Sequence, residues 1–387
     1  MLQGTKRTRL TTRASVHLDM VRGAAALAVL VGHVRGLLFL PYHELPRGGV
    51  ATSALYALTS LGHQAVIVFF VLSGFFIVSS VADAFEGLRW SWRAYLVNRV
   101  VRLSLVLAPA LVLTLVIDRL GMAMAASAEF YRRPVAYFFA VPPGSLDTAR
   151  NFFGNLFYLQ GILVRPFGSN DPLWSLSYEF WYYLLFPLAL CAWLKRRRPA
   201  MSTFYLLLAV SVVLFVGETI ALYFLLWLLG GAIAYSFRRR RTPLRVPYAG
   251  AWAAVPFAAA LAASVDHVLS SAFLMDSVVA LGFAVWMYTL VHGADRPVPQ
   301  GYARAARFFA GFSYTLYATH FPLLFLFRAR IVRNDVWTPD WLHILCGLAI
   351  VVVTVVIAWG IAQLTEARTA AVRQKAMSLL TRGAPVV

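Results

Sequence analysis

His33 is where this sequence first offers acid–base chemistry. It lies deep in the apolar stretch 18–40, eleven residues after Arg22, with Asp19 one turn before that arginine. An ionisable side chain inside a membrane-length segment is costly and is read as functional, with a partner close by. At about 100° per residue, eleven residues make three turns plus roughly 20°, so Arg22 and His33 share a helix face some ~16 Å apart along the axis. Asp19 is spaced to pair with Arg22.

Three further groups combine reactive side chains at helical spacing. Arg99 and Arg102 project from one face at the entry of an apolar segment, with Trp90, Trp92, Arg93 and Tyr95 just before them. Paired guanidinium groups grip phosphate through bidentate, charge-assisted bonds. In PLWSLSYEFWYYLLFP (172–187), Glu179 has Ser175 one turn before it and Tyr183 one turn after, with Trp174 at the segment's start. An interfacial aromatic belt accounts for the Trp and Tyr residues, but not for a carboxylate at that depth. In GFSYTLYATHFP (311–322), Ser313, Tyr317 and His320 form a polar stripe on an otherwise apolar helix. A fourth stretch, 63–78, carries His63 near its start and Ser73-Gly74 within it, where small residues permit close helix packing.

The elements that must hold these groups follow from composition. The chain is 60% hydrophobic and 13% charged, with mean hydropathy +0.70. This predicts an all-α polytopic membrane protein; long continuous apolar runs exclude an alternating-strand barrel. The runs fall near 18–40, 62–82, 100–117, 174–194, 202–217, 219–236, 248–264, 274–292, 306–329 and 342–364. That is about ten transmembrane helices, with a partial or re-entrant helix near 151–163. They make a single membrane-embedded domain over 1–387, with cytoplasmic tails at 1–17 and 365–387. The formal charge of +19 invites a nucleic-acid reading, which its placement rejects. With the N-terminus inside, 25 of the 35 Lys and Arg residues fall on the cytoplasmic side, a strong positive-inside bias. The clusters KRRR (195–198) and RRRR (238–241) are then topology determinants. On this scheme Ser169 and Asn334 are reachable from outside, Arg196 and Arg240 from inside. Cys191 and Cys346 lie at opposite leaflets and form no disulfide. The long external segment 118–173, rich in Pro and Gly breakers, is expected to belong to a lid or site.

Taken in order, LDMVRGAAALAVLVGH, FFVLSGFFI, RVVR, PLWSLSYEFWYYLLFP and GFSYTLYATHFPL closely resemble the membrane acyltransferase-3 family, in a stand-alone form without an extra extracytoplasmic domain. The resemblance implies transfer of an acyl group, usually acetyl from acyl-CoA (acetyl-CoA), to a hydroxyl of a glycan, lipid-linked sugar or glycosylated small molecule. The acyl-CoA is a co-substrate and no cofactor is bound. The family's arginine–histidine motif falls on Arg22 and His33, its cytoplasmic arginines on Arg99 and Arg102, and its tryptophan–serine–glutamate motif on Trp174, Ser175 and Glu179.

The residues support that chemistry. A neutral histidine beside a hydroxyl can take its proton as general base, or His33 can carry the acyl group itself; both remain open here. Glu179 either orients a histidine or holds the acceptor from outside. Arg99, Arg102, Arg93 and Arg22 offer a phosphate-binding cluster at the cytoplasmic face. No metal-ligand motif is present, so no metal is expected. The Arg- and Ala-rich composition suggests a GC-rich bacterial genome; the family resemblance then implies a protein of the bacterial inner (plasma) membrane that acts on cell-envelope glycans or on macrolide-type antibiotics. The competing class is a proton-coupled transporter, which also needs intramembrane His, Arg and Glu; no duplicated halves support it.

Overall fold

The computed structural model describes residues 10–45, 49–135, 138–239, 242–244, 246–266, 268–333 and 335–382. The ends of both tails, Asn334, and Arg240, Arg241 and Arg245 of the arginine-rich stretch lie outside the described residues. Each apolar segment is helical. In chain order the helices are α1 (Thr12–Leu38), α2 (Val50–Thr59), α3 (Gly62–Glu86), α4 (Trp92–Ala123), α5 (Ala125–Arg132), α6 (Ala149–Leu156) and α7 (Trp174–Leu194). They continue with α8 (Pro199–Arg239), α9 (Ala249–Val265), α10 (Ala272–His292), α11 (Gln300–Ala310), α12 (Ser313–Phe327), α13 (Trp341–Leu364) and α14 (Thr369–Arg382).

The protein is an all-α membrane protein. Among the described residues six helical stretches are long and apolar enough to cross a bilayer, and α9 is a shorter apolar helix. The segments 202–217 and 219–236 lie within the single 41-residue run of α8, broken at Gly217 (φ 80°, ψ 173°). An unbroken helix of that length would reach about 60 Å, twice the hydrocarbon thickness, and glycine is the residue that adopts this backbone without strain. Segment 306–329 is likewise divided, because Gly311 and Phe312 separate α11 from α12. Near 151–163 the chain forms only the eight residues of α6 before turning through Tyr158 at φ 59°. At about 12 Å this helix is too short to span.

The chain divides into two compact units. One contains the start of the chain through Ala25, His63–Leu88 and Leu222–Ala310. Its helices meet through main chain: a Cβ on Gly74 would collide with the carbonyl of Trp227, and one on Gly230 with the carbonyl of Val71. Small residues permit this approach, and in lipid such packing replaces the hydrophobic drive that water would supply. The fully buried Trp227 donates its indole N–H to Ser73 Oγ at 3.2 Å. Arg238 pairs with Asp83 (2.6 Å) and with Glu86 at one end of this unit. Asp276 accepts from Tyr223 (2.5 Å) and contacts His63 (2.8 Å).

The other unit contains Ala26–Gly62, Arg89–Ala221 and Gly311–Val387. Its centre is α12, which packs on α4 and α13 and is buried from Thr315 to Phe325. A helix sheathed by protein can carry polar groups, provided each finds a partner. Its first turn has no local side-chain cap. Glu366, beyond α13, supplies one by accepting the N–H and hydroxyl of Thr315, both at 3.0 Å. The segment between α4 and α7 docks here too. Asp118 accepts the Ser169 N–H (2.7 Å) and hydroxyl (2.6 Å), so Ser169 is fully buried rather than reachable from outside. Cys191 and Cys346 are free.

Two measurements check this arrangement. Gly74→Ala forces the collision with the Trp227 carbonyl and should cost about 1–3 kcal/mol, read as a lower melting temperature in detergent; an unchanged value would show that the helices separate freely. With Cys346 replaced by serine, a membrane-impermeant thiol reagent should label a cysteine at exposed Arg150 from outside intact cells and miss one at exposed Arg197. Labelling of position 197 would invert the assignment.

Candidate active site

Within the second unit, His33 and His320 meet. His33 Nδ1 lies 2.8 Å from His320 Nε2, with the ring planes only 16° apart. His320 Nδ1 faces two carbonyls of its own helix, Leu316 at 3.0 Å and Tyr317 at 2.9 Å. Carbonyl oxygens only accept, so Nδ1 carries the hydrogen. In the neutral ring Nε2 is then the acceptor, and His33 must donate from Nδ1. The remaining nitrogen of a neutral His33, Nε2, therefore keeps its lone pair. Phe321 and Phe138 set their edges or faces against the His33 ring at 4.9 and 6.2 Å. His320 is fully enclosed, whereas His33 keeps some accessible surface. The pair can thus present one basic nitrogen in a fixed direction.

The tryptophan–serine–glutamate stretch is bound to the same helix. Ser175 and Tyr317 share a 2.6 Å hydroxyl contact, and Tyr317 donates to the Pro172 carbonyl at 2.8 Å, so Ser175 is the donor of the pair. Tyr183 donates to Glu179, one turn away on α7. Arg99 lies over the rings of Tyr95 (5.4 Å) and Tyr183 (5.9 Å), and the Tyr95 hydroxyl donates to the Tyr183 carbonyl at 2.8 Å. Arg99, expected at a donor mouth, and Glu179, expected at an acceptor mouth, are thereby linked through one tyrosine. Arg102 and Arg93 are exposed. Trp174 packs edge-on to Tyr178 at 5.0 Å, and Ser313 is buried at the first position of α12.

Asp19, Arg22 and Ser73 make their contacts in the first unit. The Asp19–Arg22 pair is loose, at 4.0 Å. Arg22 also donates to the Ala310 carbonyl at 2.8 Å, the last residue of α11, where a cation meets the negative end of the helix dipole. Ser73 holds Trp227, as described above.

Several groups outside the sequence motifs fix the second unit. Asn170 donates to Thr114 Oγ1 (3.0 Å) and to the Ala318 carbonyl (2.9 Å), two residues before His320. The Gly-Ser-Asn-Asp-Pro run signalled a turn, and the polarity of its Asn and Ser was the one hint that the turn is anchored. Beside it, burial pushes the Asp171 carboxyl up to about 6. Tyr158, stacked on Phe180 at 4.3 Å, shares a 2.8 Å hydroxyl contact with Ser104. This ties the α6 turn to α4 and α7.

Comparison with known proteins points to one family. A family model described as an acyltransferase domain matches residues 16–362. The acyltransferase MdmB of Streptomyces mycarofaciens is 32% identical over 174 residues, which is 44% of this chain and 38% of that protein. The match thus spans well under half the length of that relative. No solved structure matches.

The hydrogen-bond chain predicts a measurable tautomer. Nitrogen NMR of isotopically labelled histidines should show Nδ1 protonated and Nε2 bare in both His33 and His320. A His33 that carries its hydrogen on Nε2 in the wild type would overturn the assignment.

Proposed function

Because the chain belongs to the acyltransferase-3 family of acyltransferase domains, we propose that it moves an acetyl group from cytoplasmic acyl-CoA to a hydroxyl of a glycan, lipid-linked sugar or glycosylated metabolite, macrolide-type antibiotics included. The family match decides for an acyl-transferring enzyme over a carrier. The observation that best supports the reaction is the bare Nε2 of His33, its direction set by His320. In this reading His33 Nε2 takes the proton of the acceptor hydroxyl as its oxygen attacks the thioester carbonyl. The carbon–sulfur bond breaks, the thiolate leaves, and the imidazolium returns its proton to sulfur. Both nitrogens of His33 then have defined work, so the general-base role is preferred to a covalent acyl-histidine.

Arg102 and Arg93 are the exposed cations suited to the phosphates of coenzyme A. Arg99 supports them from its place over Tyr95 and Tyr183. Glu179 and Tyr183 hold the acceptor, with Trp174, Ser175 and Tyr317 shaping the wall behind it and Ser313 at the head of the same helix. Arg22 and Asp19 steady the end of the helix that carries His33. The enzyme resides in the bacterial plasma membrane with both termini in the cytoplasm, the donor entering from that side.

Purified protein supplied with radiolabelled acetyl-CoA and candidate acceptors tests this. His33→Ala should lower transfer by about 10²–10⁴-fold with insertion unchanged. Arg102→Ala removes a charge-assisted contact of about 1.5–3 kcal/mol and should raise KM for acetyl-CoA while sparing the acceptor. His320→Leu should depress the rate and alter its pH profile, with His320→Gln recovering part of it. Activity of His33→Ala within a few-fold of wild type would sink the proposed base.

A further inference from the structure

The first unit contains a cavity of about 600 Å3 that the reaction above does not use. It is lined by the start of α1, by Leu244 and residues 246–251 leading into α9, and by the end of α10 with the residues that follow. These are the helix ends that the positive-inside count assigns to the cytoplasm. Its size suits a small-molecule site, since such sites run to some 300–1,000 Å3.

Its chemistry is divided. Arg13, Arg296 and Thr289 supply polar lining, and Leu244, Val246 and Leu290 apolar lining. Arg13 is held in place, its backbone N–H donating to Asp295 (3.3 Å) and its guanidinium to the Ala294 carbonyl (3.4 Å) and to His17 (3.3 Å). Asp295 offsets one of the two arginine charges and leaves a net positive lining. The first residues of α9 face the same space, adding the positive end of a helix dipole to two guanidinium groups. From the cavity, exposed apolar residues continue from Tyr248, the residue that caps the start of α9, to Trp252 and Val255 on the helix itself: they are 81%, 72% and 61% exposed. An aromatic residue at the cavity and a second one turn further along belong at the boundary between headgroup and acyl chain.

We propose that this cavity binds the phosphate headgroup of an anionic phospholipid, with Arg13 and Arg296 on the phosphate and an acyl chain along Tyr248, Trp252 and Val255. Two arginines suit phosphate through bidentate bonding. These exposed apolar residues favour a lipid over a soluble phosphoester. Basic pockets between helix ends on the cytoplasmic side are sites for such headgroups.

The full-length protein in neutral detergent is titrated with phosphatidylglycerol or with phosphatidylcholine. Bound lipid is counted by native mass spectrometry and thermal unfolding is followed in parallel. Phosphatidylglycerol should bind selectively and raise the melting temperature. Arg13→Gln with Arg296→Gln should weaken binding roughly fivefold per charge and remove the thermal increment, whereas Arg197→Gln should keep both. Gly250→Leu provides a second route: a Cβ there meets only Thr289 Oγ1, at 4.0 Å, so its side chain fills the cavity without main-chain collision and should exclude the lipid. If the double variant does not fold, Gly250→Leu decides. Retention of selective lipid binding by the folded variants overturns the proposal. So does an equal, Arg13- and Arg296-dependent stabilisation by pyrophosphate or acetyl-CoA without lipid, which would make this a soluble phosphoester site.

Discussion

Two main-chain carbonyls, those of Leu316 and Tyr317, govern what His33 can do. They fix the hydrogen of His320 on Nδ1, which leaves Nε2 as the acceptor for His33. The direction of the basic lone pair on His33 is therefore set by the backbone of a different helix. No charged residue is needed to orient it, which suits a site where a buried charge would carry a heavy desolvation cost. An aspartate behind a histidine does the same work in many enzymes; here a neutral ring and two peptide groups take that place.

The remainder of the second unit keeps α12 in position. An unsatisfied buried polar group costs about 1–3 kcal/mol, so each polar residue on α12 constrains its neighbours. Tyr317 is bound to Ser175 and Pro172, Ala318 O to Asn170, and Thr315 to Glu366. The segment between α4 and α7 is consequently part of the scaffold. Asp118 clamps Ser169, which places Asn170 against the helix. Packing against α4 adds apolar contact at Val106, Ala110 and Ala318.

Hydropathy and local spacing made the elements legible, and partners distant in sequence made the site only partly so. α7 spans the same residues, 174–194, as the apolar segment read from the sequence, and the spacing of Glu179 and Tyr183 translates directly into their bond. Spacing within a helix says nothing of what faces it from another. His33 and His320 were each visible, but their pairing across 287 residues was not. Arg22 repeats the pattern: spacing announced its pair with Asp19, which forms at 4.0 Å, but not the carbonyl 288 residues away to which its guanidinium also donates. Breaker residues around Ser169 announced a turn correctly and suggested exposure wrongly, because a turn's burial depends on what it docks against. The division of 306–329 was hidden because hydropathy continues across Gly311 and Phe312.

The cap on α12 also has a bearing on how the protein is made. Thr315 receives its partner from Glu366, 51 residues later in the chain, after the whole of α13. At about 5–20 residues per second, the ribosome reaches Glu366 several seconds after Thr315. Throughout that interval the first turn of α12 lacks this bond, whereas the residues of neighbouring α4 and α7 have already been synthesised. The helix that orients His33 thus receives its N-terminal cap only after the whole of α13 has been made.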